Sequence, residues 1–422
     1  MISKELLRQI VIQQKNEPFQ IEKTIKREIL KEILQWFNDN RIIILTGLRR
    51  SGKSTILRQI IQKITKCCYV NFEDERFLDF KAQEFEQLNE VLAEVYNNPT
   101  VYFFDEVQNI DKFETFVRRL QDQGKKVVIT GSNATLLSRE LGTRLTGRYK
   151  SFEIYPFSFR EFLKFQNIKP EKDWFYLIEK KVQLIKLFEK YLSTGGMPEY
   201  LKNNDIEYIR TIYENILYRD VIARYLIKRQ KLLKELVNIL MTNISSQFTY
   251  NSLKKTLGLS NAITVKEYIS YLHNSYLFFE LQKFDFSIKK QLNAPKKIFV
   301  IDPVFHQLCG LNFSLNKGKI LENIVFIELK RSRKEAYYYS NKNECDFIVK
   351  DGVKISEAIQ VCYLLDADNR EREITGLLGA MDTFKLKEGL LLTQEQEEEI
   401  IMNKKKIKVL PVWKWLLSNN FS

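Results

Sequence analysis

The sequence predicts an α/β protein in which a helix-flanked parallel sheet comes first, a mainly helical stretch follows, and a second α/β segment closes the chain. Three observations carry this. The β-branched or aromatic runs Ile42-Ile43-Ile44, Cys68–Phe72, Thr100–Phe104 and Lys126–Thr130 are separated by stretches long enough for crossover helices. From about residue 160 to 240 the strand signals stop, and Leu184, Ile185, Leu187, Phe188 and Leu192 recur at helical spacing. Beyond residue 318, helical and strand patterns alternate again.

Composition bounds the function. At 422 residues the chain is long enough for two or three domains, and 44% hydrophobic with 28% charged residues excludes a disordered or fibrous protein. No apolar run approaches the ~20 residues of a membrane span. The start, Met1-Ile2-Ser3-Lys4-Glu5-Leu6, lacks the apolar core of a signal peptide, so a cytoplasmic protein without membrane partners is expected. The odd set Cys67, Cys68, Cys309, Cys345 and Cys362 contains no CxxC pair and reads as reduced thiols. His273 and His306 are too few for histidine triads or metal clusters and read as structural. Lys+Arg number 67 against 53 Asp+Glu, a net charge of +14 that favours polyanionic partners.

Along the first segment, Ile25, Ile29, Leu30, Ile33, Leu34 and Phe37 predict a helix within 23–39, leading into a strand over Ile42–Thr46. Gly47-Leu48-Arg49-Arg50-Ser51-Gly52-Lys53-Ser54 follows, and Ser54–Ile64 continues as a helix. This strand-loop-helix setting is that of a P-loop, whose glycines let backbone N–H groups wrap phosphates. Gly47 through Ser54, with Thr55, are therefore expected to bind ATP; Lys53 reaches the β- and γ-phosphates and Ser54 offers its hydroxyl to Mg²⁺. Val101-Tyr102-Phe103-Phe104-Asp105-Glu106 supplies the acidic strand end: Asp105 to hold Mg²⁺ through water, Glu106 to orient and polarise the attacking water. The next strand ends in Gly131-Ser132-Asn133, making Asn133 the candidate γ-phosphate sensor with Ser132 as alternate. Arg144 and Arg148 are candidates to reach a neighbouring subunit's γ-phosphate.

Residues 236–300 read as a winged helix: helices Leu253–Leu257 and Thr264–Asn274 split by Gly258-Leu259-Ser260, then strand-turn-strand through Phe278–Phe286 and Lys297–Ile301. Residues 226–300 hold twelve basic against four acidic residues, concentrating the chain's positive charge there. Double-stranded DNA is the expected partner, with Lys254, Lys255 and Lys266 on the helices and Lys289, Lys290, Lys296 and Lys297 on a wing over phosphates. Tyr268, Ile269 and Leu272 read as core. The final segment predicts a helix Lys319–Arg331, strands at Ala336–Tyr339, Asp346–Val349 and Glu357–Val361, a helix after Arg370, and a strand near Leu390–Thr393.

These residues, together with Asn71-Phe72-Glu73-Asp74, Asp105-Glu106-Val107-Gln108, Thr130-Gly131-Ser132, Leu145-Thr146-Gly147-Arg148, Pro156-Phe157-Ser158-Phe159-Arg160-Glu161-Phe162 and Gly195-Gly196-Met197-Pro198-Glu199, resemble archaeal and bacterial AAA-type ATPases with a C-terminal restriction-endonuclease-like domain. The resemblance implies an AAA-like ATPase domain over 1–165, a helical lid over 166–235, a winged helix over 236–305 and a nuclease-like domain over 306–422. Such nucleases gather a helix Glu, a strand Asp and a Glu-x-Lys around a divalent metal. Glu322 and Asp346 fill the first two places, but Gln360-Val361-Cys362 stands where Glu-x-Lys belongs. Gln360 can still offer metal its oxygen, whereas Cys362 cannot replace the ammonium, so a degenerate, non-cleaving domain is expected. Lys330, Arg331, Arg333 and Lys334 lie nearby for phosphate contacts. The leading expectation is an oligomeric, Mg²⁺-dependent ATPase, ring or dimer, acting on DNA. A slow nucleotide-gated switch controlling a protein partner and an ATP-coupled nuclease are the alternatives.

Overall fold

The computed structural model describes residues 2–17, 24–132, 147–310 and 316–418. Two compact units make up the chain: Met1–Tyr155 with Asn274–Tyr276, and Pro156–His273 with Leu277–Ser422.

In the first unit, β1 (Ile42–Gly47), β2 (Cys67–Asn71), β3 (Val101–Asp105), β4 (Lys126–Gly131) and β5 (Tyr149–Ile154) form one sheet in the order β2-β3-β4-β1-β5. Every pairing is parallel. Successive side chains on a strand point to opposite faces, so Ile42, Ile44, Val70 and Phe104 join one core while Ile43, Leu45, Tyr69 and Phe103 join another. Both faces are thereby covered, which is why these strands read as continuous apolar runs. Helices Lys53–Ile61, Phe85–Tyr96 and Phe113–Asp122 make the crossovers. The helix within 23–39 is shorter than its pattern, Ile29–Gln35.

A helix not anticipated from the sequence, Lys4–Asn16, packs Leu7, Ile10 and Val11 into the first core. Ser3 caps it, its Oγ accepting from the Leu6 N–H at 3.2 Å. Its Gln14 amide accepts from the Asn71 N–H at 2.9 Å and donates to the Asn71 carbonyl at 3.1 Å.

The second unit opens with helices Phe159–Phe165, Ile178–Thr194, Pro198–Asn203 and Ile206–Asn215, the last continuing as a π-helical stretch Ile216–Ala223, and then Gln230–Thr242. Helices Tyr250–Thr256 and Ala262–Asn274 precede a three-stranded antiparallel sheet of β6 (Gln247–Phe248), β7 (Phe278–Gln282) and β8 (Lys296–Val300), ordered β6-β8-β7. Where a wing was expected between β7 and β8, the chain forms the short helix Ile288–Asn293.

After helices Pro303–Cys309 and Lys317–Arg331 come β9 (Glu335–Ser340), β10 (Glu344–Asp351), β11 (Lys354–Val361), β12 (Glu388–Thr393), β13 (Glu398–Met402) and β14 (Lys405–Pro411), in a mixed sheet ordered β13-β14-β12-β11-β10-β9. Helix Arg370–Thr383 covers one face through Ile374, Leu377 and Met381, and Val412–Ser418 ends the described chain. Among the described residues no helix is long and apolar enough to cross a membrane. All five cysteines are free thiols.

The Gly195-Gly196 interruption has a packing reason. Gly196 donates its N–H to the buried Asp302 carboxylate at 2.7 Å, and its carbonyl accepts from the Phe157 N–H at 2.7 Å. Asp302 also accepts from the Val304 N–H at 3.0 Å, capping the next helix, and burial pushes its carboxyl up to about 7. A Cβ on Gly196 would lie 2.2 Å from the Phe157 carbonyl oxygen. Gly196→Ala is therefore expected to destabilise the second unit by about 1–3 kcal/mol, read as a fall in thermal midpoint; an unchanged midpoint would contradict this packing account.

Candidate functional site

Because the first sheet is parallel, the C-terminal ends of β1, β3 and β4 come together at one edge, and the candidate site is built there. Gly47 leaves β1 at φ +146°, and a Cβ there would sit 2.2 Å from the Ile154 carbonyl oxygen, so only glycine fits the loop's first position. Arg50 lies exposed with a left-handed backbone at φ 64°, and Arg49 pairs with Glu73 at 3.1 Å. Leu48 and Ser51 are buried, and helix Lys53–Ile61 opens with Lys53, Ser54 and Thr55.

Lys53 is 3% exposed and donates to the Gly47 and Leu48 carbonyls at 3.2 and 3.1 Å. Its ammonium also lies 3.7 Å from Glu106. Asp105 is almost wholly buried: its carboxylate accepts from Tyr69 at 3.1 Å, from Thr130, and from Ser54. Burial first, then the neighbouring Glu106 charge, push the Asp105 carboxyl above its ordinary value, while these hydroxyl donors work the other way.

Glu106 takes a left-handed backbone, φ 50° and ψ 42°, with its N–H donated to the Thr130 hydroxyl at 2.9 Å. Gln108 donates to the Glu106 carboxylate and reaches Ser132 at 3.5 Å. Thr130 thus bridges both acidic residues, and Gln108 positions Glu106. The fragments Asp105-Glu106-Val107-Gln108 and Thr130-Gly131-Ser132 contain both residues, so their signal was present. Arg27 had none: it is buried behind the loop, donating to the Ser51 carbonyl at 2.9 Å and the Tyr155 carbonyl at 2.7 Å.

The donor set fits a nucleotide with Mg²⁺. A lysine and a helix N-terminus are groups that attract an anion, while Ser54 and Asp105 provide the hard oxygens Mg²⁺ takes. The Ser51 hydroxyl is buried without a hydrogen-bond partner among the described residues, a polar group left over for a ligand.

Asn133 and Arg144 lie outside the described residues; Ser132, the alternate, is buried beside Gln108. Arg148 stands before β5, at the opposite end of the sheet from Lys53, and pairs with Asp122. It is not part of its own chain's site.

In the second unit, Lys255, Lys266, Lys289 and Lys290 are exposed and Lys254 is half-buried. Tyr268, Ile269 and Leu272 are buried, as core residues. Lys296 and Lys297 correct the expectation of a phosphate-facing pair. They are neighbours on β8 and so point to opposite faces. Lys296 donates to the Leu292 and Ala294 carbonyls at 3.1 and 3.2 Å and lies over the Tyr250 ring. Lys297 is 3% exposed, its ammonium 2.8 Å from Glu322, 2.6 Å from Glu344 and 2.9 Å from Asp346.

Gln360, expected to be able to offer metal its oxygen, is hydrogen-bonded at both ends of its amide. Its Oε1 accepts from the Asp346 N–H at 3.2 Å, and its amide nitrogen donates to Glu373 at 2.6 Å. Burial pushes the Cys362 thiol up to about 11, so it is neutral near pH 7. Arg331, expected near phosphates, is instead half-buried and paired with Glu328, and Lys334 pairs with Glu357 at 2.5 Å.

Residues 39–163 match the family model described as an AAA domain, and residues 185–312 match a domain of unknown function, DUF8612. The uncharacterized protein MJ1544 of Methanocaldococcus jannaschii is 36% identical over 439 residues, covering 99% of this chain and 97% of that protein. An uncharacterized protein of Haemophilus influenzae is 29% identical over 411 residues, covering 93% of this chain and 98% of its own. The crystal structure of Cdc6p from Pyrobaculum aerophilum aligns at 14% identity and a TM-score of 0.27, covering 74% of this chain and 97% of that one.

Proposed function

Because this chain belongs to the family of Methanocaldococcus jannaschii MJ1544 and its residues 39–163 are an AAA domain, we propose that it is an ATPase that binds ATP with Mg²⁺ and hydrolyses it. The observation that carries the reading is the grouping of Lys53, Ser54, Asp105 and Glu106 at one sheet edge. Lys53 and the loop amides bind the phosphates, and Ser54 and Asp105 hold Mg²⁺, which neutralises phosphate charge when bound. Glu106, fixed by Gln108 and by its own N–H on Thr130, orients a water for in-line attack and takes up its proton. Asn133 is retained as sensor, and Arg144 and Arg148 as residues offered to a neighbouring subunit in a ring or dimer. Phosphate release from ATP that requires Mg²⁺, with an ATP-dependent increase in mass, is the test; no release at any protein concentration overturns it.

Residues 166–235, 236–305 and 306–422 are assigned in this reading to a lid, a winged helix and a nuclease-like domain that does not cut. Duplex DNA is the proposed partner, held by Lys254, Lys255, Lys266, Lys289 and Lys290. If these five neutralise five phosphates, log K falls against log[salt] with a slope of about −4 to −5. Lys289→Ala with Lys290→Ala is expected to flatten that slope by about 2. An unaltered slope would remove this surface from the interface.

A further inference from the structure

A cavity of about 520 Å³ in the second unit is lined by Glu322, Glu344, Asp346, Gln360, Arg372 and Glu373, among others. Three of the carboxylates in its wall meet one ammonium. Glu344 and Asp346, two apart on β10, share a face, and Glu322 arrives from helix Lys317–Arg331. An ammonium has three N–H donors and no acceptor; Lys297 has three carboxylate partners within 2.9 Å. Two of the remaining oxygens are also engaged. Asp346 Oδ2 accepts from the Val361 N–H at 3.0 Å, and Glu344 Oε2 accepts from Gln247.

We propose that Lys297 is a tethered cation standing where a divalent metal ion would otherwise bind, so that the native pocket is closed to metal and shortening this side chain opens it. Three hard oxygens converging on one point charge are the environment Mg²⁺ or Mn²⁺ takes, at shorter distances. The ammonium has the advantage of attachment: it is delivered by β8 as an intramolecular partner, whereas a divalent ion must first shed tightly held water. Burial opposes the charge on Lys297, but Asp346, Glu322 and Glu344 together outweigh it and hold the amine well above the ordinary lysine value. Burial and Asp346 push Glu322 upward against the pull of Lys297. Among the described residues no group of three or more His, Cys, Asp or Glu is arranged to hold a metal ion, and the Lys297 ammonium stands between these three carboxylates. The inference rests on these four side chains alone and needs neither the ATPase nor the nuclease-like reading.

The test is Mn²⁺ titration of the nucleotide-free full chain, followed by electron paramagnetic resonance of the free ion. Lys297→Met is expected to gain one site at least about tenfold tighter than any in the unaltered chain, and adding Asp346→Asn should abolish it. Two results overturn the proposal: a site in the unaltered chain that Asp346→Asn removes, or a folded Lys297→Met with no gain. Since Lys297→Met leaves three carboxylates facing one another, Lys297→Met with Glu344→Gln is made alongside, keeping Glu322 and Asp346 with less repulsion. If both variants are unfolded without metal, thermal melts in millimolar Mn²⁺ decide: recovery of the folded transition supports the proposal, and none overturns it.

Discussion

Glu106→Gln is expected to lower ATP turnover by about 10²–10³-fold while leaving nucleotide affinity within a few-fold, and Lys53→Ala to lose both binding and turnover. Glutamine keeps the size of Glu106 and can still meet Gln108, but it cannot accept a proton from water. Lys53 is different in kind, being the buried cation of the loop, held by the carbonyls at positions 47 and 48. Removing it deletes an interaction with the phosphates in both ground and transition states, so affinity falls as well. Steady-state phosphate release gives the first quantity and titration with a fluorescent ATP analogue the second. Equal turnover in Glu106→Gln and the unaltered chain would reassign the water-orienting role. The left-handed backbone at Glu106 is uncommon for a residue with a side chain, and such conformations concentrate at functional sites.

The largest stability effect is expected at Glu328. This 1% exposed carboxylate receives Arg160 at 2.6 Å on one oxygen and Arg331 on the other. The same guanidiniums reach the Leu416 and Pro156 carbonyls, tying together segments distant in sequence. Glu328→Ala deletes a buried charge that pairs with both arginines and should cost about 3–5 kcal/mol. Urea unfolding followed by far-ultraviolet circular dichroism measures it, the second unit's transition moving to lower denaturant. Glu328→Ala with Arg160→Leu should recover part of the loss, because one of the stranded cations has gone. Additive losses in the double variant would show that the residues do not act as a unit.

The grouping of Lys53, Ser54, Asp105 and Glu106 was legible because its signals are local. A β-branched run, a glycine-rich octapeptide and a strand ending in two acids each announce their place within a few residues. β8 shows the opposite case. Lys296 and Lys297 are adjacent basic residues, and nothing nearby reveals that one turns to the Leu292 and Ala294 carbonyls and the other to carboxylates on a helix and strand further along the chain. Their role is set by tertiary pairing. The link between β7 and β8 differs from expectation for a related reason: Ile288-Lys289-Lys290-Gln291-Leu292-Asn293 is short and polar enough to read as a turn, yet it closes one helical turn. The first helix escaped because its apolar stripe, Leu7, Ile10 and Val11, ends in glutamine at the next inward position. Arg27 supports a loop 24 residues onward, a distance at which single-sequence patterns carry no information.

That inward glutamine bears on solubility. β2 is an outermost strand of the parallel sheet, and an outermost strand's unused peptide groups form a template on which another chain can pair. Helix Lys4–Asn16 covers this strand, and the Gln14 side-chain amide meets Asn71 as the peptide of a further strand would, one donor and one acceptor together. The opening helix therefore works as a guard against strand-to-strand aggregation, and the sheet is finished on that side by a side chain instead of by a sixth strand.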